Sequence, residues 1–586
     1  MRAVAPQRGR RAMTGLTRPI PQVEKLRTSQ AREFKGGLNT FDSPLMMNSR
    51  YLIEARNLYP DTNGRLRLRY GTSYFSDTTG LTDGVIVNME YYNASIIAAT
   101  SDGKLMKVLA DGTASLIWSA AIAAAKTPAV DPWSSGITFV SFTQFGGNLI
   151  VCNGIDKPLI VDTAFDVNYL VDLGTGSNAN VPRAKFCVTH NNYLVLAGTP
   201  FIAGSPDIPA DFTTLFIGMR GTAGTFEGDP GPDNDGVNFI TNTYIQRGNP
   251  DITGLGSFRD KLIVTFAESL LSIQLGEYNT DGDHTPTVED VIENHGAISH
   301  RTIVSLGDDI LFMDNAGVAS VQRALITATL SPVRESTLVG RDMQAALARF
   351  TPAQLDEFVF AVHDRIQQHI FFFIPKSTDV DGDETVDNDV YTYCFDRSQR
   401  FRAWTYFDQM AYRCGCRSAE GRVFLAQGKV IYYYHNQYEP LYNDYAQEGE
   451  QPWDTGQWWD DGTGWIEAGN GVGLSIPFAF SLPWTDLGSP TQLKLSKYMS
   501  IVAEGAGTFE LDMFIDSLPN AELSMEVFQG LYPEAGNDVY RPLNNQALYA
   551  WPAKFDRMRM RVSGATDNYL AFVSIQMMYL TGSLRR

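Results

Sequence analysis

Short apolar runs separated by tight polar turns recur along this chain. The segment 299–321 shows the pattern best, with runs and turns in the order Ile303 to Leu306, Asp308-Asp309, Ile310 to Met313, Asn315-Ala316-Gly317 and Val318 to Val321. Short Asn, Asp or Gly connections favour hairpin turns, because the central residues of those turns need positive φ. The segment therefore predicts one complete β-meander.

The same pattern, a turn pair followed at once by an apolar strand, occurs seven times. The copies begin at Asn93-Ala94, Gly146-Gly147, Asn191-Asn192, Arg259-Asp260, Asp308-Asp309, Gln367-Gln368 and Glu420-Gly421, with spacings of 53, 45, 68, 49, 59 and 53 residues. Propeller blades contain three or four short strands and repeat every ~40–50 residues. We therefore predict a mainly β fold, a β-propeller of about six to seven irregular blades.

Charge is distributed unevenly along the chain. Nine basic and two acidic residues give residues 1–35 a net charge of +7, so with −19 overall the remaining 551 residues carry −26. An acidic body argues against a phosphate-gripping surface on the folded part. The arm contains Pro6, Pro19 and Pro21 and has no amphipathic period, which predicts an extended segment. Two interpretations stay open, a disordered tail and an arm that docks on an acidic partner.

Hydropathy and cysteine content restrict the class of protein. No run approaches the ~18 apolar residues of a membrane helix, and the basic amino terminus lacks the apolar region of a secretory signal. We therefore expect no membrane-spanning segment and no secretion by that route. The five cysteines predict buried thiols in a reducing compartment. Cys414 and Cys416 would face the same side of a strand, but with no second Cys or His pair nearby a structural role is favoured over a metal site.

Two insertions lie between the predicted blades, one rich in Pro, Gly and Asp at 200–250 and one with alternating aspartates at 376–390. Residues 200–250 contain EGDPGPDNDG and predict a long loop. The loop from Asp379 to Asp389, within the insertion 376–390, has alternating aspartates that suggest calcium. It departs from the EF-hand pattern, since Gly382 lies at the fourth position and Val390 at the twelfth. A solvated hairpin tip without metal is the favoured interpretation.

The segment 441–471 interleaves indoles with carboxylates. Its tryptophans are Trp453, Trp458, Trp459 and Trp465. Indoles beside carboxylates are compatible with a sugar-binding or glycosidase surface. The favoured alternative is a subunit contact, because an exposed tryptophan cluster is usually covered by a partner.

No catalytic pattern is present in the sequence. The histidines fall in different predicted blades without metal-ligand spacing, and no G-x-S-x-G, H-E-x-x-H or P-loop run occurs. They are His190, His284, His295, His300, His363, His369 and His435. We therefore predict a protein that is not an enzyme, with no catalytic, cofactor-binding or metal residues. A carboxylate pair brought together by folding leaves no motif, and that alternative stays open.

The opening segment 33–77 has its own pattern. A turn at Pro60 to Gly64 separates NLY from RLRLRYG, and the alternation of Leu with Arg predicts a strand with one solvent-facing side.

Several segments share a resemblance that covers the chain from about residue 33 to its end. They are Gly36 to Thr40 with Ser43 to Leu45, Ala55 to Pro60, the Arg-rich strand ending in Gly71, His295 to Val304 followed by LGDDILFMDNAGV, PFAFSLPWTDLGSPTQLKLSKYMSIVAEG, and FDRMRMRVSGATDNYLAFVSIQMMYLTG. In this order they resemble the tail nozzle (tail tubular) proteins of short-tailed bacteriophages, the podovirus tail. The last two segments resemble the paired β-sandwich segments of that family.

The resemblance implies a structural virion protein, assembled in the host bacterial cytoplasm and located in the phage tail. Its implied partners are further copies of itself in a homohexameric ring, the head-to-tail adaptor protein ring, and tail fibre or spike proteins. Genomic double-stranded DNA would be retained and then conducted through an axial channel without sequence recognition. The alternative function is a carbohydrate-binding or glycan-hydrolysing β-propeller, a receptor-binding tail component with its site on segment 441–471.

Pattern and resemblance together predict the domain organisation. We expect a basic extended arm at 1–35, opening strands or platform at 36–80, the β-propeller at 81–440, the Trp/Asp-rich insertion at 441–471, and a β-sandwich-like domain at 472–586.

Overall fold

The structure is a computed structural model. It describes residues 27–31, 33–126, 132–171, 181–199, 211–218, 220–221, 223, 226, 237–245, 248–275, 286–307, 309–321, 334–375, 390–397, 402–408, 410–445, 473–487, 492–516, 521, 523–529, 547–550 and 554–584.

Seven short strands precede the first blade. They are β1 (Arg27–Ala31), β2 (Gly37–Leu38), β3 (Tyr51–Leu52), β4 (Glu54–Arg56), β5 (Leu58–Pro60), β6 (Leu66–Leu68) and β7 (Thr72–Asp77).

Seven antiparallel blades follow, and in each the first strand lies innermost. Blade one contains β8 (Ile86–Tyr92), β9 (Ser95–Thr100), β10 (Leu105–Val108) and β11 (Ala114–Trp118). Blade two contains β12 (Ser141–Phe145), β13 (Asn148–Cys152), β14 (Leu159–Val161) and β15 (Val167–Tyr169). Blade three contains β16 (Phe186–His190), β17 (Tyr193–Thr199), β18 (Asp211–Ile217) and β19 (Val237–Ile240). Blade four contains β20 (Ile252–Phe258), β21 (Lys261–Phe266), β22 (Ser269–Gln274) and β23 (Thr287–Glu293), and blade five contains β24 (Val304–Ser305), β25 (Ile310–Asp314) and β26 (Gly317–Ser320). Blade six contains β27 (Phe360–Asp364), β28 (His369–Pro375), β29 (Val390–Asp396) and β30 (Ala403–Phe407). Blade seven contains β31 (Cys414–Arg417), β32 (Val423–Gln427) and β33 (Val430–Tyr434).

The blades close into a ring. The innermost strand of each blade contacts that of the next, and β31 of blade seven contacts β8 of blade one. Strand β7 pairs with β33 as the fourth strand of blade seven, so the two ends of the propeller sequence are joined by one ladder. Each pair of neighbouring blades shares an apolar cluster, which explains why second strands such as β9 and β28 are buried along their whole length. The predicted β-propeller is confirmed.

The seven predicted turn pairs correspond one to one with the seven blades. Each apolar run that follows a pair becomes the second strand of a blade: β9, β13, β17, β21, β25, β28 and β32. Asn93 and Ala94 have φ of 45° and 59°, and Asn191 and Asn192 have φ of 47° and 67°. These left-handed conformations are those that tight hairpin turns demand.

The structure corrects two local predictions in the propeller. Within segment 299–321 the first strand is only β24, because a 3-10 helix at His300–Thr302 takes up the residues before it. The segment 200–250 is not one long loop, since it supplies strands β18 and β19 and a 3-10 helix at Asn242–Tyr244. Its Pro, Gly and Asp content obscured these strands.

A β-sandwich packs beside blade six. Its carboxyl-terminal strands are β34 (Asn443–Tyr445), β35 (Gly473–Ser481), β36 (Gln492–Gly505), β37 (Gly507–Ile515), β38 (Leu523–Gln529), β39 (Ala547–Ala550), β40 (Lys554–Phe555), β41 (Met558–Thr566) and β42 (Leu570–Leu584). One sheet has the order β39-β36-β42-β6-β5, with β1 on β42 and β40 on β36. The other runs β4-β35-β41-β37-β38.

Aromatic side chains join the two sheets of the sandwich. The ring of Phe572, on β42, lies 4.9 Å from that of Phe480 on β35 and 5.3 Å from that of Phe509 on β37, centroid to centroid. The second sheet continues into the propeller, because β4 pairs with β30 of blade six through Arg56 and Tyr406. Propeller and sandwich therefore share one hydrogen-bonded sheet.

The opening segment differs from its prediction in two ways. Strand β7 lies within the predicted platform at 36–80 but belongs to blade seven. Arg69 was predicted on a solvent-facing side and is fully buried. Its Nε donates to Asn57 Oδ1 over 2.9 Å, and its two Nη atoms donate to the carbonyl oxygens of Tyr70 and Asp408 over 2.9 and 3.0 Å. These bonds explain why a cation is tolerated there.

The arm predicted at 1–35 is described only in part. Residues 27–31 form β1, which pairs antiparallel with β42 of the same chain, and residues 1–26 lie outside the described residues. The described end of the arm therefore adds a strand to the sheet that contains β42.

Among the described residues, three short α-helices are present. They are α1 (Ala120–Ala125), α2 (Gly340–Leu347) and α3 (Pro352–Phe358). In the described part of the chain, none has the length and apolar character needed to cross a membrane.

Candidate functional site

One end of the propeller, here called the axial mouth, is where the innermost strand of every blade begins. Helix α3 lies there, just before β27 of blade six, and its Asp356 pairs with Lys185, just before β16 of blade three. Blades three and six are separated by two blades along the shorter way round, so this ion pair crosses the axis. The sequence sets the helix locally, since Thr351 and Gln354 form a capping box and Pro352 is its first residue.

A buried arginine fixes the other side of the axial mouth. Arg301 donates from Nη1 to the carbonyl oxygen of Glu357 over 2.7 Å and from Nη2 to that of Arg413. Arg413 in turn donates to Glu357 Oε1 over 2.6 Å. Burial lowers the pKa of Arg301 to about 10. Because these residues precede the first strands of blades five, six and seven, the network ties three blades together.

Aromatic and imidazole rings pack next to this hydrogen-bond network. The His300 ring lies 5.4 Å from Phe186 and 6.4 Å from Phe139, centroid to centroid, and Lys185 Nζ lies 4.9 Å from the Phe139 centroid. His300 Nδ1 accepts a hydrogen bond from the amide of Leu255 over 3.2 Å. Side chains from several blades thus meet on the axis, and the described residues close the propeller at this end.

The lumen above the mouth carries charges of both signs. Arg417 Nη1 lies 3.1 Å from His363 Nδ1, and a guanidinium can only donate, so this histidine nitrogen accepts. Burial raises the pKa of Glu90, on the neighbouring strand β8, to about 7, and Arg417 partly offsets that shift. The described part of the lumen therefore carries both basic and acidic side chains.

These buried groups predict a pH dependence of stability. Burial, with Lys185 and Arg301 nearby, lowers the pKa of His300 from 6.5 to about 4. Between those pH values the unfolded chain binds a proton that the folded chain does not, so stability falls on acidification, by about 3 kcal/mol at 1.36 kcal/mol per pKa unit. We expect His300→Gln to remove this loss in urea unfolding at pH 7 to 4.

Glu90 supplies a control, because its effect on the pH dependence of stability is opposite in sign to that of His300. Its folded pKa lies above its ordinary value of 4.5, so the folded chain takes up a proton first and gains stability on acidification from pH 7. Glu90→Gln should therefore steepen the acid-induced loss that His300→Gln flattens. Parallel pH profiles for the wild type and His300→Gln would contradict the assignment.

A second candidate surface lies on the sandwich. The loop 41–46 exposes three large apolar side chains, Phe41, Leu45 and Met46, which are 59%, 48% and 86% exposed. Buried Asn39 holds the loop, because its Oδ1 accepts the amides of Phe41 and Asp42, each over 3.0 Å.

An uncharged groove of about 280 Å³ lies beside this loop. It is lined by Ser29, Gln30, Ala31, Met47, Ser49, Leu482, Pro483, Trp484, Thr485, Leu487, Met558, Met560, Ile575 and Met577. We call the loop and groove together the apolar face. On an acidic protein, such a face is suited to contact with another protein surface.

Comparison with known proteins adds little to this geometry. No protein-family model and no curated protein matches the chain. Among solved structures, a streptogramin B lyase is similar at 7% identity and a TM-score of 0.36, over 63% of this chain and 98% of that one. The WD40 β-propeller domain of Doa1 is similar at 9% identity and a TM-score of 0.35, over 63% of this chain and 97% of that one. The Pan2 WD40 domain of Neurospora crassa is similar at 10% identity and a TM-score of 0.35, over 68% of this chain and 99% of that one. Likeness at these levels carries no functional argument.

The tryptophans of 441–471 and the loop from Asp379 to Asp389 lie outside the described residues. Cys414 and Cys416 are both buried in β31, and burial raises the pKa of each thiol. Within the described ranges, no three His, Cys, Asp or Glu side chains lie close enough to hold a metal ion.

The histidines are distributed less evenly than predicted. His363 and His369 were expected in different blades but share blade six, on strands β27 and β28. His295 and His300 both precede blade five, and His284 lies outside the described residues. The axial mouth was not predicted from the sequence, although the capping box from Thr351 to Gln354 signals α3.

Proposed function

We propose that this chain is a structural subunit of a short phage tail, the nozzle. Copies of it form a ring below the head-to-tail adaptor protein, and genomic DNA is retained and then conducted along the axis of that ring. The subunit acts as a wall and not as an enzyme, and it belongs to the virion.

The observation that supports this proposal most directly is where the family-like residues lie. The opening motif from Gly36 to Thr40 supplies β2 and Asn39, which holds the exposed loop of the apolar face. The motif from His295 to Val304 supplies Arg301 and His300 of the axial mouth. Residues that carry the resemblance thus build joints and contact surfaces, which is what a structural subunit requires.

The shared sheet gives the subunit mechanical continuity. Blade six and the sandwich follow one strand order, β27-β28-β29-β30-β4-β35-β41-β37-β38. Glu54 on β4 reinforces this joint, because its two carboxylate oxygens accept hydrogen bonds from Arg561 on β41 over 2.8 and 3.0 Å. A force on the sandwich is therefore transmitted to the propeller through hydrogen bonds and not through a flexible linker.

The closed axial mouth favours a channel between subunits. With Arg301, His300 and α3 on the axis, the propeller itself is unsuited to conduct a duplex. A ring of subunits with −26 on each body would surround DNA with carboxylates, which repel phosphates and give no counterion-releasing contacts.

The apolar face is the surface we assign to the neighbouring copy of this chain. Two copies with the same negative charge repel each other, and the groove beside Met46 contains no charged side chain. Contact through the groove buries apolar area that no carboxylate lines, and the one acid of the loop, Asp42, accepts a hydrogen bond from Asn39 Nδ2 over 2.9 Å.

The test of the proposed function is the assembled particle. Native mass measurement of tails isolated from virions should give six copies in a closed ring, and electron micrographs should place that ring below the adaptor. Any other stoichiometry, or absence of the chain from purified virions, would overturn the proposal.

The apolar face can be tested separately. Phe41→Ser with Met46→Ser should reduce incorporation into tails at least tenfold, because both side chains are exposed in the single chain and would be buried only between copies. The thermal unfolding temperature should stay unchanged. Ile240→Ser, 53% exposed on β19 of blade three, is the matched control and should incorporate normally. Equal incorporation of both variants would remove the face from the interface.

A further inference from the structure

A cleft opens at the seam where blade seven meets blade one. Its volume is about 230 Å³, and its walls include Phe75 from β7, Tyr91 from β8, Phe424 from β32 and Tyr433 from β33. The seam is also where β7 closes the propeller, so residues distant in sequence meet there. The cleft is separate from the axial mouth and from the apolar face.

One wall of this seam cleft is aromatic. The rings of Phe75 and Phe424 lie 4.8 Å apart, and those of Phe424 and Tyr433 lie 5.7 Å apart, centroid to centroid. Ile96 and Val108 of blade one complete an apolar floor. The rings of these two aromatic pairs are tilted by 56° and 43°, and the partly exposed rings of Phe75 and Tyr91 offer hydrophobic contact to a ligand with an apolar face.

The rim next to this wall presents an acceptor beside a donor, and the Arg422 guanidinium carbon lies 5.7 Å from the Tyr433 ring centroid. Glu439 Oε2 accepts from the Tyr433 hydroxyl over 2.9 Å, and Oε1 accepts from Arg422 Nη2 over 3.1 Å. The side chains of Arg422 and Glu439 remain 48% and 49% exposed. A guanidinium has five N–H groups and a carboxylate about four acceptor sites, so both keep capacity for a ligand.

Buried groups hold this rim in place. Asn436 Nδ2 donates to the Tyr433 oxygen over 3.0 Å, and burial together with the bond to Glu439 raises the pKa of Tyr433 to about 12, so the hydroxyl stays a donor. His435 Nδ1 donates to the carbonyl oxygen of Glu439 over 2.8 Å, and its Nε2 accepts from Ser73 Oγ over 2.9 Å. The backbone that carries Glu439 is thereby fixed before any ligand arrives.

We propose that the seam cleft is a binding site for one neutral sugar ring of a glycan. A pyranose has C–H faces that match the aromatic wall, and each of its neighbouring hydroxyls both donates and accepts, as the pair of Arg422 and Glu439 does. The volume lies below the ~300–1,000 Å³ of sites for drug-sized ligands, which restricts the cleft to a single ring.

Charge selects against acidic sugars at this rim. Glu420 also lines the cleft, so its lining contains two carboxylates and one guanidinium. A uronic acid or a phosphorylated sugar would bring a further negative charge next to them. This proposal is independent of the nozzle function, because the seam cleft uses none of the residues of the apolar face.

The test is saturation-transfer NMR on the full chain with glucose, galactose and mannose, and with glucuronate as the acidic comparison. We expect transfer to at least one neutral hexose and at least tenfold weaker binding in Arg422→Met and Glu439→Gln. Glu289→Gln is the matched control, since Glu289 pairs with Lys261 on the surface of blade four, and it should bind as the wild type does.

Each other outcome counts against the cleft. Absence of transfer from all three hexoses, or preference for glucuronate, would overturn the proposal. Unchanged binding in both rim variants would place sugar binding on another surface. Thermal unfolding of each variant identifies loss of fold, and Arg422→Lys, which keeps the charge but loses the planar fork, must also bind more weakly.

Discussion

Arg69→Met should lower the free energy of unfolding by about 3–5 kcal/mol, because several buried acceptors lose a hydrogen bond from a charged donor, at about 1–3 kcal/mol for each group left unsatisfied. The carbonyl oxygens of Tyr70 and Asp408 would lose the guanidinium as donor, and Asn57 Oδ1 would lose one of two donors while retaining the amide of Asp408 over 2.7 Å. An unsatisfied buried polar group costs about 1–3 kcal/mol, and methionine fills the volume without supplying a donor. Guanidinium denaturation of the full chain measures the change.

Arg65→Met, four residues earlier, is the matched control. Arg65 is 27% exposed and pairs with Asp61 and Glu504, each over 2.6 Å. Solvent-exposed ion pairs contribute about 0–1 kcal/mol, so this variant should lose little stability. Comparable losses in the two variants would show that Arg69 is not the joint between the opening strands and blade six.

Local chemistry explains why the propeller could be predicted. The turn pairs work through their own φ angles, as at Asn191 and Asn192, and the apolar run that follows needs no distant partner to be recognised. Each run is the second strand of a blade, buried on both faces, which is why its apolar character is nearly continuous. The period of the turns therefore reports the number of blades.

Pairings between distant parts of the chain left no such signal. Strand β7 joins β33 across more than 350 residues, and β4 joins β30 across a similar distance. Arg69 looked solvent-facing because alternation reveals which residues share a face, but not whether another element covers that face. Strands β18 and β19 were missed because turn-forming residues surround them.

The candidate surfaces depend on the same distant pairings. The axial mouth brings Lys185, Arg301 and Asp356 together only once the ring has closed. The seam cleft likewise needs β7 in blade seven before Phe75 can meet Phe424. Residue types alone mark these side chains as possible site residues, but only the strand topology shows which of them lie close together.

Gly505→Ala should cost more than about 4 kcal/mol, a loss reserved for strained or clashing substitutions. Gly505 ends β36 with φ of 99°, in the region that favours glycine, and an added Cβ would lie 1.8 Å from the carbonyl oxygen of Tyr569. That oxygen already accepts the amide of Ala506 over 3.0 Å, so it cannot move away without breaking a bond. A large drop in thermal unfolding temperature is the expected result.

Gly507→Ala tests whether the loss of stability in Gly505→Ala depends on the position of that glycine or would follow from replacing any nearby glycine. Gly507 begins β37, one residue past the corner that connects the two sheets of the sandwich, and its added Cβ would come no nearer than 3.3 Å to Thr566. We expect a change within about 1 kcal/mol, as for substitutions without a strong mechanism.

The corner also has a consequence for assembly. The groove of the apolar face is lined by Met558 on β41 of one sheet and Met577 on β42 of the other, so it exists only while the sandwich is closed. Gly505→Ala should therefore lose both stability and incorporation into tails, whereas Phe41→Ser with Met46→Ser should lose incorporation alone. If Gly505→Ala incorporated normally despite a lowered unfolding temperature, the groove would not be part of the contact between copies.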